Sequence, residues 1–419
     1  MRGPRATRVC SAEQAAALVS SGQTVTISSI CAEPLTVTSA LWARAAELDN
    51  VTIVAGMMVS GYPFLRIPES PFRLRTWFMP GTLLGGEFRN ISAEYLPLSW
   101  AQTVRYLGQL RSDVAMIQVS PADLKGFHSL GISSSFTRPI MRNARLVIAE
   151  VNDQMPRTRG HSLVHESELD VIVPANYPLP SFPHREGDDI DLRIGRLAAE
   201  FVPNGATLQF GVGTIPNATV RALLEIGRHD LRVVSQLTDP AMDLIRAGAA
   251  VDENPKAIVG DIYGSQNLYR WVDGNGAVSM VEDGLETHGL NSFRSGNPFV
   301  SINSGLEVDL LGQLNSETIN GKQTGAIGGS IDFAIGAQFD GGTSVIAIRT
   351  TTKQGASRIV TQLAPGAVTV PRSLIQFIVT EYGIADLRNR TVRERATALT
   401  EIAHPDHRDA LRAAARLLE

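Results

Sequence analysis

Short apolar runs alternate with helical patterns along the first half of the chain. Buried strands are predicted by β-branched stretches bounded by Gly, Pro or Asp, namely TVTISSI, VTIVAG, VAMIQVS, ARLVIAEV and LDVIVP. Between them, apolar residues fall at helical spacing in AEPLTVTSALWARAAEL and SWAQTVRYLGQLR. Because strands that alternate with helices form a parallel sheet covered on both faces, this pattern predicts an α/β domain.

The alternation restarts after a proline-rich segment, PANYPLPSFPHREGDD, whose composition and lack of periodicity predict a linker. Beyond it, helices are predicted by IGRLAAEFV, NATVRALLEIG, PAMDLIRAG and the carboxy-terminal stretch, which Pro405 interrupts. Strands are predicted by ATLQFGVG, LRVVSQL, AIVGDIYG, FVSINSGLEVDL, SVIAIRT and SLIQFIVT. We therefore predict the α/β class, with two tandem open α/β domains and largely parallel sheets, over residues 1–185 and 186–419.

Composition narrows the function classes. With 419 residues, 43% apolar and 19% charged, the chain resembles a globular enzyme of more than one domain. Its net charge of -4 gives no electrostatic reason to expect nucleic acid or an anionic membrane as a partner. Cys10 and Cys31 are too few for a disulfide framework or a Cys-based metal site. Because the amino terminus lacks a signal-peptide core and no apolar run approaches the roughly 18 residues of a membrane span, we expect a cytoplasmic protein.

A glycine-rich turn joins a predicted strand to a predicted helix in QFGVGTIPNATVRALL. Gly211 and Gly213 let the backbone approach a ligand closely, and a helix that begins near Pro216 offers free N–H groups to an anion or an oxyanion. The alternative is an ordinary tight turn. A third glycine and the acidic residue of the dinucleotide fingerprint are missing, which argues against a nicotinamide enzyme.

A second glycine-rich loop, TGAIGGSIDF, places Gly328 and Gly329 where backbone amides could also cradle a ligand, although a hairpin or turn has the same composition. Lys353 follows in RTTTKQGASRIV, within reach of a phosphate held nearby, but basic loop residues are usually solvated. No metal is expected, because His161 and His165 lack both the HExxH motif and a third ligand. The sequence also contains neither the GxSxG elbow of α/β-hydrolases nor a P-loop.

Further segments complete a characteristic order along the chain: CAEP, EYLPLSW, DVAMIQVSPAD, VNDQMPRTRGHSLVH, GVGTIPNA, VSINSGLEVDLLGQL, SRIV, VTEYGIADLRNRTVRERA and EIAHPDHRD. Together they resemble the acetyl-CoA hydrolase/CoA-transferase family, which includes 4-hydroxybutyrate and butyrate:acetate CoA-transferases. The resemblance runs from Val25 to Ala414, nearly the whole chain.

This resemblance implies two CoA-transferase-like α/β domains with the active site at their interface, and a homo-oligomer. Coenzyme A or acyl-CoA would bind as a substrate, and no cofactor would be bound permanently. In the family a glutamate attacks the acyl-CoA, forms a mixed anhydride and then a glutamyl-CoA thioester, which an incoming carboxylate resolves. The residues implied for CoA binding are Gly211, Val212, Gly213, Thr214, Ile215, Gly328, Gly329 and Lys353, and those implied for the acyl or carboxylate pocket are Cys31, Glu33 and Pro34.

The family's glutamate has no counterpart in this sequence. Its pattern is similar to L-G-x-H-[ST]-E-M-x-x-D-G-x-x-D-L, and the matching stretch reads LRVVSQLTDPAMDL. Counted from the start of that stretch the glutamate position is Gln236, and counted back from its end it is Ser235. A carboxamide cannot form the anhydride, yet Gln236 can still hold a thioester carbonyl or a water. Ser235 would need a general base, and the family's histidine is replaced beside it by Val234.

Three functions follow as alternatives. The first is an enzyme that transfers the acyl group of acyl-CoA, or of a carrier-protein pantetheine thioester, directly to water, an amine, a hydroxyl or a carbon nucleophile, with Gln236 positioning the substrate. The second is conventional CoA transfer in which Glu33 or Asp239 replaces the missing carboxylate. The third is a non-catalytic subunit that binds CoA.

Overall fold

The computed structural model describes residues 7–28, 30–79, 93–182, 186–282, 297–338, 341–366 and 368–418. Its strands are β1 (Arg8–Val9), β2 (Thr24–Ile27), β3 (Val51–Val54), β4 (Phe72–Thr76), β5 (Ala93–Tyr95), β6 (Val114–Val119), β7 (Phe127–Ser129), β8 (Leu146–Asn152), β9 (Arg159–Gly160), β10 (Leu163–His165), β11 (Val171–Ala175), β12 (Thr207–Phe210), β13 (Arg232–Leu237), β14 (Ala257–Ile262), β15 (Val278–Met280), β16 (Phe299–Asn303), β17 (Glu307–Asp309), β18 (Leu314–Asn315), β19 (Thr318–Ile319), β20 (Lys322–Gln323), β21 (Thr343–Ala347), β22 (Ile359–Val360), β23 (Phe377–Thr380) and β24 (Gly383–Asp386). Its α-helices are α1 (Ala12–Ala16), α2 (Leu35–Ala43), α3 (Trp100–Leu107), α4 (Thr137–Asn143), α5 (Asp189–Ala199), α6 (Thr214–Glu225), α7 (Asp239–Arg246), α8 (Gln266–Val272), α9 (Ser330–Gly336), α10 (Val392–Glu401) and α11 (Pro405–Ala415). None of these described helices is both long enough and apolar enough to cross a membrane.

The chain folds into two compact units. Unit 1 comprises Met1–Pro183, Ser235–Asp239 and Ala257–Thr287, and unit 2 comprises His184–Val234, Pro240–Lys256 and His288–Glu419. The first change of unit therefore falls within the proline-rich segment, two residues before the end of the predicted first domain. Residues 235–239 and 257–287 lie beyond residue 185 in the sequence and pack in unit 1. The domain ranges 1–185 and 186–419 stay a prediction.

The main sheet of unit 1 is parallel in its described pairings. Its strand order is β1-β11-β8-β6-β2-β3-β4-β5, and each adjacent pair runs in the same direction. Every residue of β6 is buried, as expected for the interior of a parallel sheet. Val114 and Met116 belong to one apolar cluster, and Ala115 and Ile117 belong to another. Because side chains alternate between the faces of a strand, each face of this sheet has its own core.

Unit 2 holds β24-β23-β21-β16-β12 and the start of β13, in that order, from a nine-stranded sheet. Its pairs are parallel from β13 to β23, and the edge pair β23–β24 is antiparallel. Pro405 begins α11, where its missing N–H costs no helical hydrogen bond. Leu399 of α10 and Leu411 of α11 share an apolar cluster with Ile378 of β23. The predicted α/β class with largely parallel sheets is thus confirmed.

The first half of the proline-rich segment is an integral part of unit 1. Leu179 is buried, and the Tyr177 hydroxyl donates a hydrogen bond to the Glu150 carboxylate. The Phe182 N–H donates to the carbonyl of Gly264 at 2.9 Å. The prediction of a linker is therefore wrong for residues 176–182, because long-range hydrogen bonds fix this stretch.

Candidate active site

Gln236 is hydrogen-bonded to Tyr263, the residue that directly follows the neighbouring strand β14. The Tyr263 N–H, which follows β14, donates to the Leu237 carbonyl of β13 at 3.1 Å. This pairing brings the Tyr263 phenol to the Gln236 side chain, where the hydroxyl donates to Oε1. The opposite end of the amide is the Nε2 group, which carries only hydrogen-bond donors. The Tyr263 contact therefore fixes Oε1 as the accepting end of the Gln236 amide and Nε2 as its donor end.

Ser235, the residue before Gln236, adopts a strained backbone conformation. Its φ angle is +78°, in the left-handed region, although it lies in the strand β13 and is not glycine. Such a conformation costs on the order of 1–3 kcal/mol, and it persists only where the surrounding structure holds it. Strain of this kind clusters at ligand-binding and catalytic positions, which supports the assignment of this stretch as the centre of the site.

The turn that carries Tyr263 is fixed from two sides. The Phe182 ring packs against the Tyr263 ring, with 5.2 Å between the centroids. Asp239, at the start of α7, accepts hydrogen bonds from the N–H of Ser265 at 2.9 Å and from its hydroxyl at 2.5 Å. A Cβ atom on Gly264 would lie 2.2 Å from the Asp239 carboxylate, so the close approach requires glycine. Asp239 thus acts as the acceptor that closes this turn.

The Cys31–Pro34 segment lies in the same unit and is buried. The Cys31 thiol is hydrogen-bonded to the Tyr269 hydroxyl, and burial raises the pKa of that thiol to about 11. Tyr269 in turn accepts a hydrogen bond from the Gly264 N–H at 3.3 Å, which links the segment to the turn after β14. Pro34 precedes α2 and is buried as well. Because Cys31 stays protonated near neutral pH, it is not a thiolate nucleophile.

Glu33 is a fully buried carboxyl group held by Ser60. Its relative exposure is 0%, and it accepts hydrogen bonds from the Ser60 hydroxyl at 2.7 Å and from the Ser60 N–H at 3.2 Å. Burial raises the pKa of Glu33 to about 7, although the Ser60 hydrogen bonds oppose this rise. Glu33 is therefore poised to exchange a proton near neutral pH.

A second buried carboxyl group, Asp261, lies near the end of β14. It accepts a hydrogen bond from the Ser133 hydroxyl at 2.6 Å, and burial raises its pKa to about 6. Sequence reasoning missed this residue, Tyr263 and Tyr269. One signal could have found Tyr263, because a side chain that directly follows a buried parallel strand stands at the edge where such sheets bind ligands.

The first predicted CoA loop, in unit 2, precedes a helix whose start has no side-chain cap. The Gly211 N–H donates to the Ile302 carbonyl at 2.9 Å, and Gly213 precedes α6 with φ of +139° and makes no side-chain cap. The helix begins at Thr214, two residues before the predicted start near Pro216. First-turn N–H groups without a side-chain cap favour an anionic ligand.

The other predicted CoA-binding residues, also in unit 2, lie in two loops. Gly328 has φ of +60° and open space where a Cβ would lie. Gly329 precedes the helix α9, so this loop leads into a helix and not into a hairpin. Lys353 is exposed in a tight turn closed by the hydrogen bond from Gly355 N–H to the Thr352 carbonyl at 3.0 Å. A common binding site for these loops remains a prediction.

Comparison with known proteins identifies the family. The N-terminal domain of acetyl-CoA hydrolase/transferase matches residues 90–181, and its C-terminal domain matches residues 264–415. The 4-hydroxybutyrate coenzyme A transferase of Clostridium kluyveri is 39% identical over 330 residues, which are 76% of this chain and 76% of that protein. The chain belongs to the acetyl-CoA hydrolase/transferase family. The predicted membership, and with it an enzyme of the transferase or hydrolase type acting on acyl-CoA thioesters, is confirmed.

Other proteins match this chain over almost its full length. The succinyl-CoA:cyclohexane-1-carboxylate CoA transferase of Geobacter metallireducens is 34% identical and covers 98% of this chain and 95% of its own. The crystal structure of RipA from Yersinia pestis superposes with a TM-score of 0.90 at 30% identity, over 98% of this chain and 97% of that chain. The loss of the family's glutamate and the roles of the individual site residues stay predictions.

Proposed function

We propose that this family member transfers the acyl group of a bound acyl-CoA, or of a related pantetheine thioester, directly to an acceptor or to water, without a glutamyl-CoA intermediate. The observation that carries the proposal is the hydrogen bond from Tyr263 to the Oε1 atom of Gln236. In the alignment proposed from the flanking motifs, this carboxamide takes the place of the carboxylate that the family's mechanism needs. A carboxamide oxygen is a poor nucleophile, and an acylated amide cannot pass to a thioester with release of a carboxylate.

Gln236 can assist a direct attack as a hydrogen-bond donor. When an acceptor adds to the thioester carbon, negative charge develops on the carbonyl oxygen before the C–S bond breaks. A preorganised donor aimed at that oxygen typically contributes about 10²- to 10³-fold in kcat. The Tyr263 contact directs the donor end of Gln236 away from the phenol, which suits this role.

The surroundings of Glu33 and Asp239 argue against conventional CoA transfer by either residue. Glu33 is fully buried and accepts two hydrogen bonds from Ser60. Asp239 accepts two hydrogen bonds from Ser265. A nucleophilic carboxylate must reach the thioester carbon, whereas Glu33 has no exposed surface and Asp239 is held against Ser265 in the turn after β14.

The binding partners that we propose for this chain are those that its family resemblance implies. We assign coenzyme A, as the carrier of the acyl group and not as a resident cofactor, to the loops Gly211–Ile215 and Gly328–Gly329 and to Lys353 of unit 2. A carrier-protein pantetheine arm is the alternative donor. We expect a homo-oligomer that works in the cytoplasm, without nucleic acid or a membrane as a partner.

Oxygen-18 labelling tests the direct route. In a single turnover in H₂¹⁸O, direct hydrolysis places one ¹⁸O atom in the released acid, because water attacks the thioester carbon. A glutamyl route gives a first acid without ¹⁸O, because its new oxygen comes from the protein carboxylate. We expect labelled acid, read by mass spectrometry. If neither water nor a panel of amines and alcohols releases CoA, the chain is instead a CoA-binding subunit.

A further inference from the structure

Glu33 and Ser60 form a hydrogen-bonded pair that connects a buried carboxyl group to a more accessible hydroxyl. The Ser60 Oγ atom lies 2.7 Å from Oε1 of Glu33, and the Ser60 N–H donates to Oε2 at 3.2 Å. Glu33 has no exposed surface, whereas Ser60 is partly exposed. A molecule beside this pair therefore meets the hydroxyl first, with the carboxyl group behind it.

A second buried carboxyl group sits close enough to influence the first. Glu150 is fully buried; Tyr177 donates to its Oε1, and the Val37 N–H donates to its Oε2 at 2.8 Å. Gln118 bridges the two sites, because its Nε2 group donates to the Glu33 carbonyl at 2.7 Å and to the Tyr177 hydroxyl at 2.8 Å. Two buried carboxyl groups with like charge disfavour simultaneous ionisation. Glu33 and Glu150 together therefore retain one proton more readily than exposed glutamates would.

The titratable groups around Glu33 come from several elements. Tyr62, Tyr177, Cys31 and Glu150 all interact electrostatically with it. Burial raises the pKa of Cys31 to about 11 and raises the pKa of the tyrosines further. These three groups stay neutral in the range where Glu33 exchanges its proton, so Glu150 is the neighbour that modulates it.

Glu33 is linked to the Gln236 site within unit 1. Cys31 precedes Glu33 by two residues and is hydrogen-bonded to Tyr269. The Tyr269 hydroxyl accepts from the N–H of Gly264, the residue after Tyr263. Tyr263 holds Gln236. Hydrogen bonds between chain neighbours of Glu33 and of Gln236 thus connect the two positions within unit 1.

We propose that Ser60 and Glu33 relay the acceptor's proton during direct acyl transfer, so that the acceptor is a protic nucleophile such as water, an alcohol or an amine. This inference rests on the proposed function. The acceptor's O or N atom forms a bond to the thioester carbon, and the C–S bond breaks. The acceptor's proton passes to Ser60 Oγ as the Ser60 proton passes to Oε1 of Glu33, and the reverse transfers protonate the departing CoA thiolate. A carboxylate acceptor carries no such proton and needs no relay.

Three substitutions test the relay through the pH dependence of kcat/KM for CoA release. In the unaltered protein the rate should fall as the pH drops below about 7, because the relay needs the Glu33 carboxylate. We call this fall on the acidic side of the pH profile the limb. Glu33→Gln should remove the limb and lower kcat by about 10²-fold or more. Ser60→Ala removes the hydroxyl that carries the proton, so kcat should also fall, by about 10-fold or more. In the remaining activity, where water takes its place, the limb should move to higher pH, because the Glu33 carboxylate loses a stabilising hydrogen bond. Glu150→Gln removes a like charge, so the limb should move to lower pH.

The opposite shifts of the last two variants distinguish a relay from a structural role. Thr369→Val provides the control, because it removes a hydroxyl that donates to Glu317 at 3.1 Å in unit 2 and should leave the limb unchanged. An unchanged limb in Ser60→Ala and Glu150→Gln, shifts in the same direction, or an acyl adduct on Ser60 would overturn the relay. If Glu33→Gln fails to fold, the limb shifts in Ser60→Ala and Glu150→Gln still test the relay. Labelled acid in H₂¹⁸O with unchanged limbs refutes the relay alone, whereas unlabelled acid refutes the proposed function.

Discussion

Tyr263 donates a hydrogen bond to the Oε1 atom of Gln236. The two residues are far apart in sequence and meet because β13 and the end of β14 lie side by side, with the Tyr263 N–H bonded to Leu237 at 3.1 Å. The contact fixes which end of the Gln236 amide accepts and which end donates. A carboxamide held in this way has the chemistry of an oxyanion donor and lacks that of the family's nucleophile.

The first prediction concerns this hydrogen bond. Tyr263→Phe keeps the ring contact with Phe182 but removes the donor hydroxyl. We expect kcat for CoA release to fall about 3- to 10-fold, the usual worth of one hydrogen bond, while CoA affinity measured by calorimetry stays the same. In a Gln236→Ala background the substitution should cost nothing further, because its effect acts through Gln236. An equal loss in that background would show that Tyr263 acts independently.

The second prediction concerns CoA binding. We expect the unaltered protein to bind CoA with a Kd of about 1 μM or less, about -8 kcal/mol. Gly328→Ala places a methyl group in open space at φ of +60°, and we expect at least tenfold weaker binding, since the ligand should occupy that space. The matched control is Gly205→Ala, at φ of +77° with equally open surroundings. Both should lose about 1 kcal/mol of stability, and equal CoA affinity in the two variants would contradict the assignment of this loop.

The third prediction concerns the pH dependence of stability. Burial raises the pKa of Asp261 to about 6, so between its ordinary value near 3.8 and that pH the folded state holds more protons than the unfolded state. The free energy of unfolding must therefore fall as the pH rises through this window. Asp261→Asn should remove part of the fall, on the order of 1–3 kcal/mol, as measured by urea unfolding at pH 4 and pH 7.

Its control is Asp409→Asn, a residue whose side chain is 97% exposed. This variant should keep the pH dependence of the unaltered protein. If Asp261→Asn also keeps it, the Asp261 carboxyl group does not retain its proton in the folded state, and the account of its burial is wrong.

Much of the fold was predictable because it depends on local patterns. The fully buried run of β6 and the restart of the alternation beyond residue 183 both reflect hydrophobic periodicity. The return of residues 235–239 and 257–287 to unit 1 was not predictable, since it depends on contacts between distant segments. The same holds for the site. The stretch around Gln236 could be found by its flanking motifs, but Ser60 lies 27 residues from Glu33, and nothing local pairs them.

The positive φ of Ser235 illustrates the same limit. Glycine, asparagine and aspartate are the residues whose presence predicts a left-handed backbone, and serine inside a β-branched run predicts an ordinary strand. The conformation therefore depends on more than the local sequence. Its position beside Gln236 is the kind of local conflict that functional sites retain.

The most direct test of the account is the search for a covalent intermediate in the unaltered protein and in a Gln236→Glu variant. Both proteins are incubated with acyl-CoA and examined by intact-mass spectrometry, with and without borohydride reduction. We expect no adduct on the unaltered protein, and a CoA adduct with newly gained CoA transfer to acetate in the Glu variant. A CoA adduct or a reduced glutamate in the unaltered protein would contradict the central claim, because it would show that another carboxylate carries the family's intermediate.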